Sequence, residues 1–187
     1  MSNRITTGVV RLSYANLNEA KSINGGDPRY SASVLISKSD TKTLERVKAA
    51  IQTAYDEGQG KLRGSGKTVP PMTTLKLPLR DGDAERPDDE AYQGHYFVNA
   101  TNKEKPDIVD LSGNPIIDSS ELYSGIYART HLGFYAFNAN GNRGIAVSLN
   151  CVQKVKDGAS LGGRVKAADV FNDGFTCEDD DDIDFLN

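Results

Sequence analysis

The sequence predicts an antiparallel β-barrel of five or six strands with one main α-helix. Two strand-like runs flank Asn140-Gly141, a dipeptide that strongly favours a tight hairpin turn. Shorter runs rich in β-branched and aromatic residues precede this hairpin, and one apolar stripe repeats at helical spacing. Short strands, glycine-rich turns and a single main helix together are typical of a small barrel.

The first strands are expected in TGVVRLSYANL and RYSASVLIS. One face of the second run carries Tyr30, Ala32, Val34 and Ile36. The helix follows in SDTKTLERVKAAIQTAYDEG, with Asp40 as its N-cap and Gly58 at its end. The apolar stripe that we expect to pack on the sheet is Leu44, Val47, Ile51, Ala54 and Tyr55. Further strands are expected in GHYFVNAT and DIVDL, joined by NKEKP.

Two stretches predict irregular structure. GQGKLRGSGKTVPP is rich in glycine and carries Lys61, Arg63 and Lys67, which indicates a mobile basic arm. RDGDAERPDDE is expected to be an acidic loop. Periodicity fades after Val155, so we expect one folded domain over residues 1–165 and a flexible acidic tail over residues 166–187.

The hairpin sequence specifies a strand register. Pairing about Asn140-Gly141 places apolar residues opposite one another, with Cys151 among them as an inert core thiol. The expected pairs are Phe134 with Val147, Leu132 with Leu149, Thr130 with Cys151, and Ala136 with Ile145. Because side chains alternate along a strand, one face of the hairpin is consistently apolar.

The other face of the hairpin carries rings and cations. Its first strand presents Tyr127, Arg129, His131, Tyr135 and Phe137. Lys154, Val152, Asn150, Ala146 and Gly144 lie opposite, and Ser148 lies beside Gly133. Aromatic rings among cations on an open sheet are typical of surfaces that bind single-stranded nucleic acid, because bases stack on rings while cations meet phosphates.

The expected phosphate contacts are Arg129, Arg143, Lys154, Lys61, Arg63 and Lys67, with His131 among the rings. An alternative is that these rings form a second core against another element. The interleaved charges disfavour that alternative, because buried charges need partners.

Charge divides the chain into two regions. The net charge is -4, but six of the 26 acidic residues lie between Glu178 and Asp184, and the rest of the chain holds 22 basic residues against the remaining 20 acidic ones. The tail therefore has a charge of about -6 and the body about +2. We expect the tail to compete with nucleic acid for a basic surface, or alternatively to serve only as a solubiliser.

No cofactor or metal is expected. Two cysteines and two histidines are scattered without metal-ligand spacing, and GSGKT lacks the first glycine of a phosphate-binding loop. The few cysteines favour a reducing cytoplasm, and no signal peptide or membrane span is expected. A non-catalytic binding protein is therefore the main interpretation. The alternative is a nuclease or strand-annealing protein that uses magnesium on carboxylates such as Asp107 and Asp110.

Several segments resemble the single-stranded-DNA-binding proteins of tailed bacteriophages, formerly known as a domain of unknown function. The matching segments are VRLSYANL, YSASVLISKSD, LPLRDGD, VNATNKEKPDIVD and the long run from Glu121 to Gly163, together with the acidic end. The resemblance implies an OB-fold that coats single strands during phage replication or recombination in the host bacterial cytoplasm. Weaker binding to duplex DNA is left open.

The acidic end also resembles the C-terminal tails of bacterial and phage single-strand binders. That resemblance implies a docking segment for replication partners such as a DNA polymerase, a helicase or primase, or a nuclease. Phe185 would be the pocket anchor. The carboxylates that would meet basic rims are Asp179, Asp180, Asp181, Asp182 and Asp184.

Overall fold

A computed structural model describes residues 2–22, 24–161 and 171. Within these residues, eight strands form one sheet and three α-helices accompany it. The strands are β1 (Arg4–Thr6), β2 (Val10–Lys21), β3 (Arg29–Ser37), β4 (Leu79–Asp81), β5 (His95–Asn102), β6 (Asp107–Val109), β7 (Tyr127–Ala139) and β8 (Asn142–Lys156). The helices are α1 (Thr41–Glu57), α2 (Gln59–Arg63) and α3 (Gly82–Glu85).

Five of the strands close into a barrel. β2 pairs with β3, β3 with β5, β7 with β8, and β2 with β7, all antiparallel. A parallel contact between β5 and β8 at Thr101 and Ser148 completes the ring. This connectivity, with one parallel pair among antiparallel ones, is that of the OB-fold. The prediction of a mainly β, OB-fold-like barrel with one main helix is confirmed, although the described part of the chain has more strands than the predicted five or six.

The barrel interior is filled by the apolar face of each strand. Leu12, Val34, Val98, Phe134 and Leu149 are buried there. The main helix α1 packs against β7 and β1, and its predicted apolar residues Leu44, Val47, Ile51 and Ala54 are buried in the same core. Tyr55 is only partly buried.

The two predicted ends of α1 are confirmed. The Asp40 carboxylate accepts a hydrogen bond from the backbone N–H of Thr43 at 3.1 Å, which satisfies a donor that the first turn leaves unpaired. At the other end, the Gly58 N–H donates to the Ala54 carbonyl. A side chain at Gly58 would collide with Ala136 on β7, so glycine permits the close approach of helix and barrel.

Two β-bulges change the predicted register of the hairpin. The predicted pairing holds from Ala139 with Asn142 back to Leu132 with Leu149, and then shifts by one residue so that His131 faces Cys151. A second shift places Tyr127 opposite Lys156. A bulge adds an unpaired residue to one strand, which reverses the direction of the side chains beyond it.

The bulges make the predictions for Cys151, Val152 and Lys154 wrong, and Val152, expected on the open face, is 1% exposed. Thr130 pairs with Val152 instead of Cys151, and Cys151 is exposed rather than part of the core. Lys154 was expected on the open face, but it lies opposite Ala128 and is 8% exposed.

The two stretches predicted to be irregular contain regular structure. The glycine-rich stretch begins with α2, which is fixed by the fully buried Leu62. The acidic stretch contains the end of β4, which pairs with β5, and α3, whose N-cap Asp81 accepts from the N–H of Asp83 at 3.0 Å. The prediction of a wholly irregular basic arm and acidic loop is therefore wrong.

The predicted boundary at residue 165 and the tail residues Asp179, Asp180, Asp181, Asp182, Asp184 and Phe185 lie outside the described residues. Among the helices that the structure describes, none is long and apolar enough to cross a membrane.

Replacing Asp40 with alanine removes the cap of α1. We expect the free energy of unfolding to fall by about 0.5–2 kcal/mol, because a first-turn N–H loses its acceptor. Chemical denaturation followed by circular dichroism measures this change. Glu45→Ala is the matched control, since Glu45 is an exposed carboxylate of the same helix. Equal effects of the two substitutions would contradict the capping role.

Candidate nucleic-acid interface

Much of the surface that OB-folds use for oligonucleotides is covered in this protein. OB-fold binding usually involves the second and third barrel strands, here β3 and β5, and the loops beside them. The outward residues of β3 are Ser31, Ser33 and Leu35, and all three are buried. The Tyr92 hydroxyl donates to Ser33 Oγ at 2.9 Å, and its ring meets Phe97 of β5 edge-on at 5.0 Å. The segment between β4 and β5 thus covers β3 and the start of β5.

An arginine covers this small aromatic cluster. The guanidinium carbon of Arg86 lies 5.2 Å from the ring centres of both Tyr14 and Tyr92, and 5.9 Å from that of Phe97. Tyr14 is exposed and has a φ of 45°, a conformation that is strained for a bulky residue. The sequence analysis did not identify this cluster.

The open part of the outer face lies across β5, β8 and β7. We call it the outer strip: it consists of Asn99 and Thr101 on β5, Ala146 and Ser148 on β8, and Tyr135 and Phe137 on β7. Tyr135 faces Ala146, and Phe137 faces Gly144, so the rings lie beside small residues. Tyr135 is 39% exposed and Phe137 is partly buried. The strip offers flat apolar area next to polar side chains.

A groove of about 520 Å³ lies where β5 and β8 separate. Residues 76–80 cross this gap: the Lys76 N–H donates to the Arg143 carbonyl at 3.0 Å, and Leu79 pairs with Val98 of β5. The groove is lined by Lys76, Leu77, Pro78, Arg80, Asn99, Thr101, Ile145, Ala146 and Val147. Ala146 belongs to both features, so the rings of the outer strip lie one strand away from the groove.

Cations gather at the turn of the β7–β8 hairpin. The Asn138 side chain donates to the Lys61 carbonyl at 3.0 Å, which attaches α2 to the turn. The Lys76 ammonium donates to the Asn142 side chain at 2.8 Å. We call this group the basic tip: Lys61, Arg63, Lys76 and Arg143. The structure therefore brings together three of the predicted phosphate contacts, and Lys67 is exposed in the segment that follows α2.

The predicted site residues at the other end of β7 are engaged within the protein. Two cations lie over the ring of Tyr127, Arg11 at 5.4 Å and Lys156 at 4.8 Å from its centre, and the backbone of Gly158 packs against its edge. The exposed Arg129 donates from Nε to the Thr7 carbonyl at 3.3 Å. His131 Nδ1 lies 3.1 Å from Thr6 Oγ1 on β1. In this half of β7, Tyr127 and His131 are therefore only partly exposed while Arg129 is exposed, and the DNA-binding role of these three residues stays a prediction.

Lys154 is held by carboxylates. Its ammonium contacts the side chains of Glu121 and Asp157, the latter at 2.8 Å. Burial opposes the charge on Lys154, but the hydrogen bonds from Asp157 and Glu121 outweigh it and raise the pKa of this lysine. Lys154 therefore stays charged and fixes the segment after β8 against the segment that carries Glu121.

A second ion cluster fixes the acidic stretch near the groove. The Lys38 ammonium lies 2.9 Å from Asp81 and 2.7 Å from Asp83. These hydrogen bonds from Lys38 hold the pKa values of both carboxyl groups below their usual range. The cluster thus attaches α3 to the end of β3.

Asp110, one of the two carboxylates considered for magnesium, has structural contacts. Asp110 accepts hydrogen bonds from the backbone N–H groups of Ser112 at 2.8 Å and Asn114 at 3.0 Å. Over residues 2–22, 24–161 and 171, no group of three or more His, Cys, Asp or Glu side chains is arranged to hold a metal ion.

The sequence as a whole matches a family model described as "Enterobacter phage Enc34, ssDNA-binding protein", over residues 3–186. The chain belongs to this family. The predicted membership of a phage single-stranded-DNA-binding family is therefore confirmed. A putative protein p50 of Acyrthosiphon pisum secondary endosymbiont phage 1 is 32% identical over 186 residues, which cover 95% of this chain and 97% of that protein.

Solved structures show the same fold at lower identity. The single-stranded DNA-binding protein of bacteriophage Enc34, in complex with single-stranded DNA, has a TM-score of 0.72 at 23% identity, covering 86% of this chain and 90% of that one. Gp2.5 of bacteriophage T7, a single-stranded DNA-binding protein, has a TM-score of 0.60 at 12% identity, covering 87% of this chain and 97% of that one.

Lys154→Ala tests the structural position of this lysine. We expect the free energy of unfolding to fall by about 1–3 kcal/mol, because two charge-assisted hydrogen bonds are lost. Thermal and denaturant unfolding measure the change. Lys105→Ala, at an exposed lysine, is the control. An unchanged stability of the Lys154 variant would contradict the structural role and restore this residue as a candidate phosphate contact.

Proposed function

We propose that the protein binds single-stranded DNA without sequence preference and protects it during phage DNA replication or recombination. The observation that carries the proposal is the open outer strip, in which an exposed ring and a partly exposed ring lie one strand away from the groove, on the hairpin whose turn carries the basic tip. Bases would stack on Tyr135 and Phe137, while Arg143, Lys61, Arg63 and Lys67 would meet phosphates. Membership of a family described as ssDNA-binding supports the ligand class.

The geometry favours a single strand over a duplex. Stacking needs bases whose flat faces are accessible, and in a duplex those faces are covered by neighbouring pairs. The outer strip presents Tyr135 beside the small Ala146, which leaves room for a base to lie flat there, whereas the backbone of Lys76 covers Gly144 beside Phe137. Main-chain and side-chain contacts to phosphate carry no sequence information, so the affinity should depend little on base identity.

Sequence analysis missed part of this surface. Lys76 lies in a segment to which no element was assigned, and Arg80 lies in the stretch expected to be an acidic loop. Asn99 and Thr101 lie on an expected strand whose faces were not assigned. The alternation in GHYFVNAT contains the signal for the last two residues, because Val98 and Ala100 occupy the apolar face. We include all four in the proposed interface and leave Lys154 out.

Tyr135→Ala and Phe137→Ala test the stacking surface. Each is expected to weaken single-strand binding by about 1–3 kcal/mol, because one base loses its stacking partner. Fluorescence anisotropy with a labelled oligonucleotide measures the affinity, and thermal unfolding checks the fold. Tyr127→Ala is the control, because the Tyr127 ring contacts Arg11 and Lys156 within the protein. This substitution should lower the free energy of unfolding by more than it lowers the free energy of single-strand binding.

Two outcomes would contradict this proposal. Full affinity of both outer-strip variants would mean that single strands bind elsewhere, and failure of the unmodified protein to bind any single strand would refute the function itself. Incubation of the labelled strand with protein and magnesium tests the alternative nuclease. An intact strand is expected, whereas cleavage would favour that alternative.

We propose a separate role for the acidic tail, which lies outside the described residues. Its six carboxylates would compete with phosphates for the basic tip, and DNA binding would release Phe185 for replication partners. Competition depends on charge and docking depends on the ring, so the two activities can be separated by mutation.

Removal of residues 178–187 is expected to raise single-strand affinity, most clearly at low salt, where screening is weakest. Duplex affinity should rise too, because the competition does not depend on strand form. Phe185→Ala in the full chain is the matched variant: it should leave DNA affinity unchanged and reduce binding to replication proteins. Equal affinities of the full and truncated chains at low salt would identify the tail as a solubiliser.

A further inference from the structure

The acidic stretch beside the groove contains carboxylates in different environments. Asp81 and Asp83 are paired with Lys38, and Asp89 caps the next turn by accepting from the Ala91 N–H at 3.2 Å. Glu85 differs from these, because its partner is a cation of the groove. Glu85 Oε2 lies 2.7 Å from Nε of Arg80.

Arg80 is held at the groove by two contacts. Besides the pair with Glu85, its guanidinium carbon lies 5.5 Å from the ring centre of Phe97. An arginine side chain has five N–H donors, of which Nε supplies one. In the described part of the chain, the two terminal nitrogens of Arg80 make no hydrogen bond. The side chain is 47% exposed and lines the groove with Asn99 and Thr101.

This arrangement suits a phosphate. Arg80 is pre-oriented by an aromatic ring, and its free N–H groups can donate two parallel hydrogen bonds to an anion. A phosphate held by the terminal nitrogens would share this guanidinium with the Glu85 carboxylate, so the two negative charges would repel each other. An exposed ion pair contributes little to the free energy of unfolding. A second anion can therefore displace the Glu85 carboxylate, or share Arg80 with it, at a small cost in free energy.

We propose that Arg80 is a phosphate contact for which Glu85 competes, so that Glu85 sets the affinity and the salt dependence of single-strand binding. This inference rests on the proposed function and adds a regulatory residue to the same surface. Glu85 lowers affinity by occupying Nε of Arg80 and by repelling the phosphate. The protein thereby binds single strands less tightly than its cations alone would allow, which favours release.

Glu85→Gln removes the charge and keeps the shape of the side chain. With charges about 6 Å apart and both side chains exposed to water, its removal should raise affinity for a single-stranded oligonucleotide on the order of threefold at low salt. Because Arg80 is then free to neutralise one phosphate, the slope of log affinity against log salt concentration should steepen by up to about 0.7. Anisotropy titrations at a series of salt concentrations measure both quantities.

Glu90→Gln is the matched control. Glu90 is exposed in the same acidic stretch and changes the net charge equally, but the structure describes no ion pair for it. Its substitution should leave the salt slope unchanged. The double variant Arg80→Gln/Glu85→Gln should lose the gain, so removal of Arg80 should cost more in the Glu85→Gln background than in the unmodified protein.

Each other outcome overturns the inference. Equal effects of Glu85→Gln and Glu90→Gln would mean that only the net charge matters. Weaker binding by Glu85→Gln would mean that Glu85 orients Arg80 without competing. If the Glu85→Gln variant does not fold, Arg80→Gln tests the inference by itself. An Arg80→Gln variant with unchanged single-strand affinity would mean that Arg80 does not contact a phosphate. These failures leave the proposed function intact if the unmodified protein binds single strands normally and Arg143→Gln binds them more weakly. In that case only the inference about Arg80 and Glu85 is refuted.

Discussion

The structure depends on how the barrel closes between β5 and β8. These strands meet at Thr101 and Ser148, and residues 76–81 fill the gap where they separate. Lys76 is hydrogen-bonded to the start of β8, while Leu79, Arg80 and Asp81 pair with β5. Because a barrel with an open seam would leave backbone N–H and C=O groups unpaired, this crossing segment completes the wall. It also carries Lys76 and Arg80 to the outer surface.

The second constraint is the covering of β3. Tyr92 occupies the outer face beside Phe97 and Ser33, and Arg86 lies over the rings. A surface that OB-folds commonly offer to ligands is therefore part of the interior here. The open area is displaced towards β8 and β7, where the hairpin turn and α2 bring cations together. The proposed binding surface follows from both constraints, since one closes the usual face and the other builds the groove.

The sequence analysis succeeded where the signal is local and strongly periodic. The hairpin turn, the ends of α1 and the inward face of β3 all follow from residue spacing. The bulges that turn Cys151 outward and Lys154 inward could not be predicted, because no residue type in this strand identifies the position of the extra, unpaired residue. The short helix α2 was missed because its glycine-rich sequence contains a single apolar anchor, Leu62. The pairing of Arg80 with Glu85 and of Lys38 with Asp81 became visible only once β4 was placed beside β5.

The most direct test of the account is whether bases stack on the outer strip. The chain has no tryptophan, so Tyr135→Trp supplies a single tryptophan at the proposed contact, whose emission can be excited apart from that of the tyrosines. Titration with a single-stranded oligonucleotide should quench its emission in proportion to binding measured independently by anisotropy. Ile117→Trp is the control, because Ile117 is 92% exposed on a loop outside the groove, and its emission should change little. Saturated binding with unchanged emission from residue 135, or equal quenching at both positions, would contradict the proposed surface.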